Sequence, residues 1–508
     1  MRLTFSGFVL TVLRRCFMKM RVLGLLCMAS VVFVSCDKEG MDNTLKPYVD
    51  FSYSPEEIRV GDEVLFKASA EPGSSEIVSW NWDFGQGSSS QGKDVSFVYG
   101  EAGNYKVILT AVDILGVSVE ESNDITVLEE EGSFSAEIAW SFNNGTDVTN
   151  VNDGSSAPAI GDDGTVYYLE GFAGALSTMV AVVDQNTSGQ KKWEYGFGAN
   201  ARNAPSIGPD GSIYTSAWLG DAVFKFNKEN GNVLWQQTTG SGISNSTTAI
   251  SSNGDVYVGT RSQGVYGWSS DGTLLWHHES ADGSKTPFYS SPVLGKDEST
   301  LYILMTATAG EVWAFDAMDG SPKWNEPVAV IGSLGSSLSI DGDGTVYVTT
   351  DNGVIAITDN GSDGAVKWFA ELEGAGNSGI VIGPEGDLYT GASSGLVSLN
   401  PMDGSLAWTY PTSVKESVPA VDINGNIYIG SVDGKFHIVD PLGEALKIFE
   451  LGDNTVNSPT IADDGSIYVE AVKNFQVILY KILVEDSGPA DSPWPMKGQN
   501  RMNTGRAL

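Results

Sequence analysis

Few residues in this chain have the types and spacing that catalysis requires. Gly391-Ala-Ser393-Ser-Gly395 matches the G-x-S-x-G pattern of serine nucleophiles, but that pattern needs a sharp turn from a strand into a helix. The surrounding residues predict a hairpin between two strands instead. The histidines are His277, His278 and His437, and the first two, being adjacent, would point to opposite sides of a strand. We predict no catalytic residue, no metal site and no enzymatic activity.

Aspartates next to glycine suggest a second kind of chemistry, calcium binding. Asp341-Gly-Asp343-Gly344 and Asp162-Asp163-Gly164 have the composition of calcium loops. Tight hairpins require the same residues, because glycine and asparagine tolerate positive φ angles. Similar turns recur along most of the chain, so a structural role accounts for them. We expect no cofactor, with calcium as the alternative.

Cysteine chemistry is confined to the start of the chain, where Cys16, Cys27 and Cys36 are the only cysteines. The rest of the chain therefore has no disulfide framework, no thiolate metal site and no cysteine nucleophile.

One sequence pattern recurs eight times along the chain, and the elements that it forms must position the serine, histidine and aspartate residues above. Each copy has a small polar residue, an apolar run, a Gly-centred turn, and then an apolar residue followed by tyrosine, as in SAPAIGDDGTVY. A period of about 40–45 residues with several short strands is typical of a β-propeller blade. The copies end at Tyr167, Tyr214, Tyr257, Tyr302, Tyr347, Tyr389, Tyr428 and Tyr468.

Each copy is predicted to form four strands, which in the second copy cover 204–207, 213–216, 223–227 and 233–237. The fourth strand contains Trp235. Phe449 stands at its place in the seventh copy, and tryptophan in the others: Trp193, Trp276, Trp324, Trp368 and Trp408.

The eighth copy lacks a fourth strand, and residues 136–142, ahead of the first copy, can supply it with Trp140 in the expected place. The ring then closes and no strand edge stays open. We predict an all-β fold with eight blades over residues 134–508. Seven blades are the alternative if the fourth copy, where Ser299 replaces the turn glycine, is degenerate. The tail around Trp494 is expected to seal one face.

Residues 47–128 alternate between apolar and polar with period 2, which predicts a small antiparallel sandwich. Trp80-Asn81-Trp82-Asp83-Phe84-Gly85 and the later Gly103-Asn104-Tyr105 resemble the PKD repeat, an immunoglobulin-like family. Gln86 replaces the family's second aspartate, which counts against a cation site in this turn. The aromatic residues predict a core, and residues 129–133 an acidic linker.

The eight copies resemble PQQ-type propeller repeats, which occur in quinoprotein dehydrogenases and in lipoproteins of outer-membrane barrel assembly. The resemblance covers residues 134–508 and implies a fold more than a function. Many quinoproteins carry a vicinal cysteine pair, and this chain has none. The PQQ cofactor is therefore not expected.

The first 36 residues predict an export signal. A basic segment from Met18, an apolar run over 22–34 and Ser35-Cys36 resemble a bacterial lipoprotein signal, with Phe33 where leucine is usual. The resemblance implies a start at Met18 and a palmitate-type anchor on Cys36; an ordinary signal is the alternative. Asp37-Lys38-Glu39-Gly40 resembles the surface-export signals of Bacteroidetes-type lipoproteins, with 37–46 as a tether.

The formal net charge is −35, and five of the 29 basic residues lie in the predicted leader. A surface this acidic repels phosphates, so no nucleic-acid partner is expected.

Loop lengths predict which face of the propeller binds. The turns between strands one and two and between three and four are short and uniform, whereas the other loops vary and meet on the opposite face, where binding usually resides. They carry Phe172, Phe197, Trp218, His277, Phe288 and Tyr289; packing within their own loops is the alternative role.

A second candidate site is the small polar residue that opens each inner strand, at one mouth of the channel. The regular spacing favours hydrogen bonding between blades. The eight positions are Ser156, Asn203, Ser246, Ser290, Ser336, Ser378, Ser417 and Asn457.

We therefore expect a monomeric, non-enzymatic cell-envelope lipoprotein, anchored in the outer membrane and exposed at the cell surface. Its propeller would serve as a binding or adhesion platform for a glycan or an envelope protein. The first alternative is a scaffold of outer-membrane assembly that faces the periplasm. The second is a quinoprotein or a polysaccharide-active enzyme.

Overall fold

A computed structural model of the chain describes residues 47–71, 76–101, 103–128, 134–147, 156–171, 176–185, 187–199, 201, 203–217, 221–240, 246–279, 287, 290–306, 310–332 and 337–507. The predicted leader, tether and linker lie outside these ranges. Within them, forty β-strands and one 3-10 helix, η1 (Ala375–Asn377), occur, and no helix is long and apolar enough to cross a membrane. The chain divides into two compact units between residues 132 and 133.

The first unit is a sandwich of two sheets. One sheet has the strand order β1-β3-β6 and the other β2-β8-β7-β4-β5. The strands are β1 (Tyr48–Ser54), β2 (Ile58–Arg59), β3 (Glu63–Glu71), β4 (Ile77–Asp83), β5 (Ser89–Gln91), β6 (Asp94–Val98), β7 (Gly103–Asp113) and β8 (Ser118–Leu128).

The aromatic residues of the predicted PKD motif form the core of this sandwich. Trp82 and Phe84 are buried, and the Trp82 ring meets Phe51 edge-on with centroids 5.1 Å apart. The Trp82 indole N–H donates to the Gly92 carbonyl at 2.9 Å. Asp83 Oδ1 accepts the Gly85 N–H at 2.9 Å, so this carboxylate holds the turn.

The second unit contains eight four-stranded antiparallel sheets, the blades. Blade one has β10 (Ala159–Ile160), β11 (Val166–Glu170), β12 (Thr178–Asp184) and β13 (Gly189–Gly196); blade two has β14 (Ser206–Ile207), β15 (Ile213–Ala217), β16 (Ala222–Phe226) and β17 (Val233–Thr238). Blade three has β18 (Ala249–Ile250), β19 (Val256–Gly259), β20 (Val265–Trp268) and β21 (Leu274–His278); blade four has β22 (Val293–Leu294), β23 (Thr300–Met305), β24 (Gly310–Asp316) and β25 (Val328–Val330).

The remaining blades continue the pattern. Blade five has β26 (Ser339–Ile340), β27 (Val346–Thr350), β28 (Gly353–Asp359) and β29 (Gly364–Glu371); blade six has β30 (Val381–Ile382), β31 (Leu388–Ala392), β32 (Gly395–Leu399) and β33 (Leu406–Tyr410). Blade seven has β34 (Ala420–Val421), β35 (Ile427–Gly430), β36 (Lys435–Val439) and β37 (Ala445–Glu450).

Blade eight joins the two ends of the propeller. It consists of β38 (Thr460–Ile461), β39 (Ile467–Lys473), β40 (Gln476–Val484) and, as its outermost strand, β9 (Ala136–Asp147). In the register, Trp140 lies opposite Lys481 and Ile138 opposite Ile482. The all-β fold with eight blades is therefore confirmed.

Three details differ from the sequence expectation. In blade four, Trp324 precedes the fourth strand instead of lying on it, since that strand is Val328–Val330. The first strand of blade two is only Ser206–Ile207, because the Ala204 N–H instead reaches Thr247 Oγ1 of blade three at 3.3 Å. In blade four, Glu298 and not Ser299 takes the left-handed turn position, with φ 56. Its sheet is nevertheless complete, so the fourth copy is not degenerate.

Candidate functional site

The small polar residues that open the inner strands join neighbouring blades. Ser378 Oγ donates to the Ser417 carbonyl of the next blade at 2.7 Å and accepts the Gly391 N–H of its own blade at 3.0 Å. Ser417 repeats this with the Asn457 carbonyl at 3.3 Å and the Gly430 N–H at 3.1 Å. Inter-blade bonding therefore accounts for three members of this ring, Asn203, Ser378 and Ser417. The Ser156 hydroxyl has no hydrogen-bond partner among the described residues, and Ser336 lies outside them.

A tryptophan on the fourth strand, or just before it in blade four, makes a second connection from blade to blade. The indole N–H of Trp140, on the closing strand β9, donates to Asp184 Oδ1 of blade one at 3.1 Å. The closing strand thus makes the same indole hydrogen bond to the next blade that six other tryptophans make. The equivalent bonds are Trp193 to Lys228 O (2.8 Å), Trp235 to Ser270 O (3.1 Å), Trp276 to Ala317 O (2.8 Å), Trp324 to Asp359 Oδ1 (2.9 Å), Trp368 to Pro401 O (2.9 Å) and Trp408 to Pro441 O (3.0 Å).

The C-terminal tail, residues 485–507, lies across the channel at the end opposite the polar ring. Trp494 and Met496 are buried there. The tail carbonyls accept N–H groups from the last residues of six inner strands, so the tail lies where the sealing prediction put it. These bonds are Ile160 to Arg501 (2.7 Å), Ile207 to Met502 (2.9 Å), Ile250 to Thr504 (2.9 Å), Leu294 to Gly505 (2.8 Å), Ile382 to Trp494 (2.8 Å) and Val421 to Pro495 (2.8 Å).

Two of the predicted binding-loop residues lie in the described part of the chain. His277 is exposed and stacks on Tyr266, with ring centroids 3.9 Å apart. Phe197 is half-buried and packs on Phe224, with centroids at 5.3 Å, which is the alternative role considered for it. The remaining candidates fall outside the described residues: Phe172, Trp218, Phe288, Tyr289 and the lipid-attachment residue Cys36.

The other two histidines are held within the fold. His437 is buried between the Tyr410 hydroxyl, 3.1 Å from Nδ1, and Thr412 Oγ1, 3.0 Å from Nε2. Burial lowers the pKa of His437 and also that of His278, whose ring lies 4.5 Å from that of Phe315. Both imidazoles are therefore neutral near pH 7.

The aspartate-rich turns use their carboxylates to hold backbone groups. Asp341 Oδ1 accepts the N–H groups of Asp343 and Thr345 at 2.9 and 2.8 Å, and Oδ2 accepts the Tyr347 hydroxyl at 2.9 Å. Among the described residues, no group of three or more acidic, histidine or cysteine side chains could hold a metal ion. Ser393 lies in the tight turn between β31 and β32, with no helix following.

Two carboxylates lie inside the junction between blades eight and one. Glu470 on β39 and Glu170 on β11 are both buried. Asn457 Nδ2 donates to Glu470 Oε2 at 2.6 Å. Glu170 accepts the Tyr168 hydroxyl at Oε1 (2.7 Å) and Asn144 Nδ2 at Oε2 (3.1 Å). We call this pair, with Asn457 and Ser156, the junction cluster.

Burial dominates the electrostatics of the junction cluster. It raises the pKa of Glu470 to about 8, and the negative charge of Glu170 acts in the same direction. The Asn457 amide, the Lys497 ammonium and the Ser156 hydroxyl oppose this rise. Burial also raises the pKa of the Tyr168 hydroxyl well above its usual value, with Glu170 as the next cause. The protein groups around Glu470 therefore stabilise its ionised carboxylate less well than water would.

The junction cluster was not among the sites predicted from the sequence, although the repeat contains a signal for it. Glu470 stands two residues after Tyr468, where the other copies have glycine, leucine, serine or threonine. Glu470 is therefore the one charged residue at this position of the repeat.

The fold and its channel define an eight-bladed propeller of PQQ-like repeats that follows a PKD-type sandwich. A family model for the PKD domain matches residues 44–127. The model described as "Outer membrane protein assembly factor BamB" matches residues 100–237, 219–379 and 297–482. The chain belongs to this second family, and the resemblances to PKD and PQQ-type repeats are confirmed.

Individual relatives are distant. The curated "Protein Rv3035" of Mycobacterium tuberculosis is 26% identical over 174 residues, which cover 32% of this chain and 41% of that protein. The chain thus spans less than half of this relative. The structure of BamB from Moraxella catarrhalis is 16% identical with a TM-score of 0.50, over 69% of this chain and 98% of that one. The Dos1 propeller is 12% identical with a TM-score of 0.50, over 68% and 94%; both structures agree in fold.

Proposed function

We propose that this chain is a non-enzymatic scaffold of the bacterial cell envelope that binds a protein partner through the variable-loop face of its propeller. This face comprises the loops between second and third strands and the connections between blades. The observation that carries the proposal is the difference between the two faces. The tail bonds to the last residues of the inner strands on one side, whereas the copies differ most in the loops of the other.

The family supports a scaffold more than a catalyst, because its description names an assembly factor. Outer-membrane association fits the same description. The lipid anchor at Cys36, surface display and glycan binding remain predictions from the sequence. Rigid propellers with variable loops suit binding, because the loops change without disturbing the hydrogen-bonded ring beneath them.

Site-specific photocrosslinking in cells tests the face. A photoreactive amino acid replaces either His277, exposed at the end of β21, or Met402, which is 74% exposed in the turn between β32 and β33 on the opposite face. We expect a crosslinked envelope protein from position 277 and none from position 402. Equal crosslinking from both positions, or crosslinking from position 402 alone, would exclude the proposed face.

Protease treatment of intact cells separates surface display from a periplasmic location. Degradation of the propeller in intact cells supports display at the surface. Protection that is lost only when the outer membrane is permeabilised supports the periplasmic scaffold, which the family description favours. The photocrosslinked partner from position 277 must then be found in the same compartment.

A further inference from the structure

Glu470 is the one charged residue at its position in the eight copies, and its side chain has no water-exposed surface. It is 0% exposed, in a strand position that three other copies give to glycine. A charged carboxylate in such a place costs several kcal/mol unless it is neutralised or coordinated (order of magnitude). A proton, a cationic side chain or a bound cation at the junction of blades eight and one must therefore compensate it.

Three oxygen atoms of the junction cluster lack hydrogen-bond partners among the described residues: Glu470 Oε1, Asn457 Oδ1 and Ser156 Oγ. All three side chains are at least 99% buried. They belong to one locality, since Asn457 Nδ2 donates to the other oxygen of Glu470 at 2.6 Å. The N–H of Ser458, the residue after Asn457, donates to the Ser156 carbonyl at 3.0 Å.

A carboxylate oxygen, an amide oxygen and a hydroxyl oxygen that are buried without hydrogen-bond partners are the kind of hard oxygen ligands that a cation such as Ca²⁺ prefers. We propose that the junction cluster binds a metal cation of the calcium class through Glu470 Oε1, Asn457 Oδ1 and Ser156 Oγ. Two of the three ligand oxygens, those of Asn457 and Ser156, belong to uncharged side chains. The site therefore does not contain the three acidic ligands by which metal centres are commonly recognised. Water completes the coordination shell.

The surrounding charges agree with a cation. Glu470 and Glu170 contribute two carboxylates, and Lys497 of the tail contributes one ammonium group. Asn144 and Tyr168 add neutral donors on the Glu170 side. The junction therefore keeps net negative charge when both glutamates are ionised. A bound cation also ties blade eight to blade one, the junction that β9 closes.

Calorimetric titration of the full chain tests the proposal. The protein is first dialysed against a chelator at pH 8 and then titrated with Ca²⁺, Mg²⁺ or Na⁺. We expect one saturable site for at least one of these ions and a higher Tm in its presence. Glu470→Gln should weaken the binding more than tenfold, since even the loss of an outer-shell partner weakens metal binding by about 10- to 100-fold.

Asp343→Asn is the matched control, because it removes a carboxylate from an aspartate-rich turn and leaves the junction intact. It should bind the ion like the wild type. No binding by the wild type overturns the proposal, as does equal binding by Glu470→Gln. A stronger loss in Asp343→Asn would place the ion in the turns instead. If Glu470→Gln fails to fold, Ser156→Ala, a smaller change on the same ligand set, is expected to weaken binding, and unchanged affinity then overturns the site.

Discussion

At the scale of single residues, buried polar groups define how this propeller is joined. Ser378 satisfies one N–H group of its own blade and one carbonyl of the next. A buried backbone group that loses its partner costs about 1–3 kcal/mol, more than an average hydrogen bond contributes. These hydroxyls therefore matter more for stability than their size indicates.

Ser378→Ala is expected to lower the free energy of unfolding by about 1–3 kcal/mol, since it leaves the Ser417 carbonyl and the Gly391 N–H without their partner. Urea unfolding measures the change. Ser362→Ala is the control, because the Ser362 hydroxyl bonds only the exposed Asp363 carboxylate, at 2.8 Å, and should change stability by less than about 0.5 kcal/mol. Equal effects of the two substitutions would contradict an inter-blade role.

Glu470 gives the chelated protein a particular pH dependence. Its pKa is raised from 4.5 to about 8, so between these values the folded state holds a proton that the unfolded state has released. Stability must then fall as the pH rises through this window. Glu470→Gln stays neutral and should lack this part of the decline in urea unfolding at pH 5, 7 and 9. If the free energy of unfolding changes with pH in the same way for both proteins, the pKa of Glu470 is not raised by folding.

Single residues also show what could and what could not be predicted from the sequence. Trp140 could be assigned to blade eight because its surroundings match those of tryptophans in the other copies. The junction cluster could not be assembled in the same way, because Glu170 and Glu470 meet only across the closed ring. Periodicity identifies positions that recur in every copy. Contacts between the last and the first blade do not recur, and they depend on how β9 pairs with β40.

At the scale of elements, the tail is the least repetitive part of the propeller, and its carbonyls bond to the inner strands of six blades. Its contribution comes from backbone carbonyls that accept inner-strand N–H groups and from the burial of Trp494. The sequence placed the tail at one face. It did not reveal the bonding, since a segment without alternation carries no register signal.

Trp494→Ala should destabilise the propeller by about 3–5 kcal/mol, the usual cost of emptying a buried aromatic site. Hydrogen exchange should accelerate at the Ile382 and Val421 amides, which bond to the carbonyls of Trp494 and Pro495. Phe475→Ala, at a side chain that is 66% exposed, is the control and should leave these amides protected. If exchange at these amides is unchanged in Trp494→Ala, the tail keeps its hydrogen bonds without the Trp494 side chain.

At the scale of the whole molecule, the chain combines two units with separate cores. The sandwich core contains Phe51, Phe66, Trp82 and Phe84, and its buried cluster shares no described residue with the blades. Domains with their own cores can in principle fold alone. We therefore expect a defect in one core to stay within its unit.

Trp82→Ala tests this independence. The side chain is 1% exposed and its ring lies 5.1 Å from Phe51 and 5.6 Å from Phe66, so its loss should cost the sandwich about 3–5 kcal/mol. Hydrogen exchange measured on peptides should accelerate throughout residues 47–128 and stay unchanged in blade one. Trp494→Ala should produce the reverse pattern. If Trp82→Ala also accelerates exchange in the blades, the sandwich contributes to propeller stability and the two units are not independent.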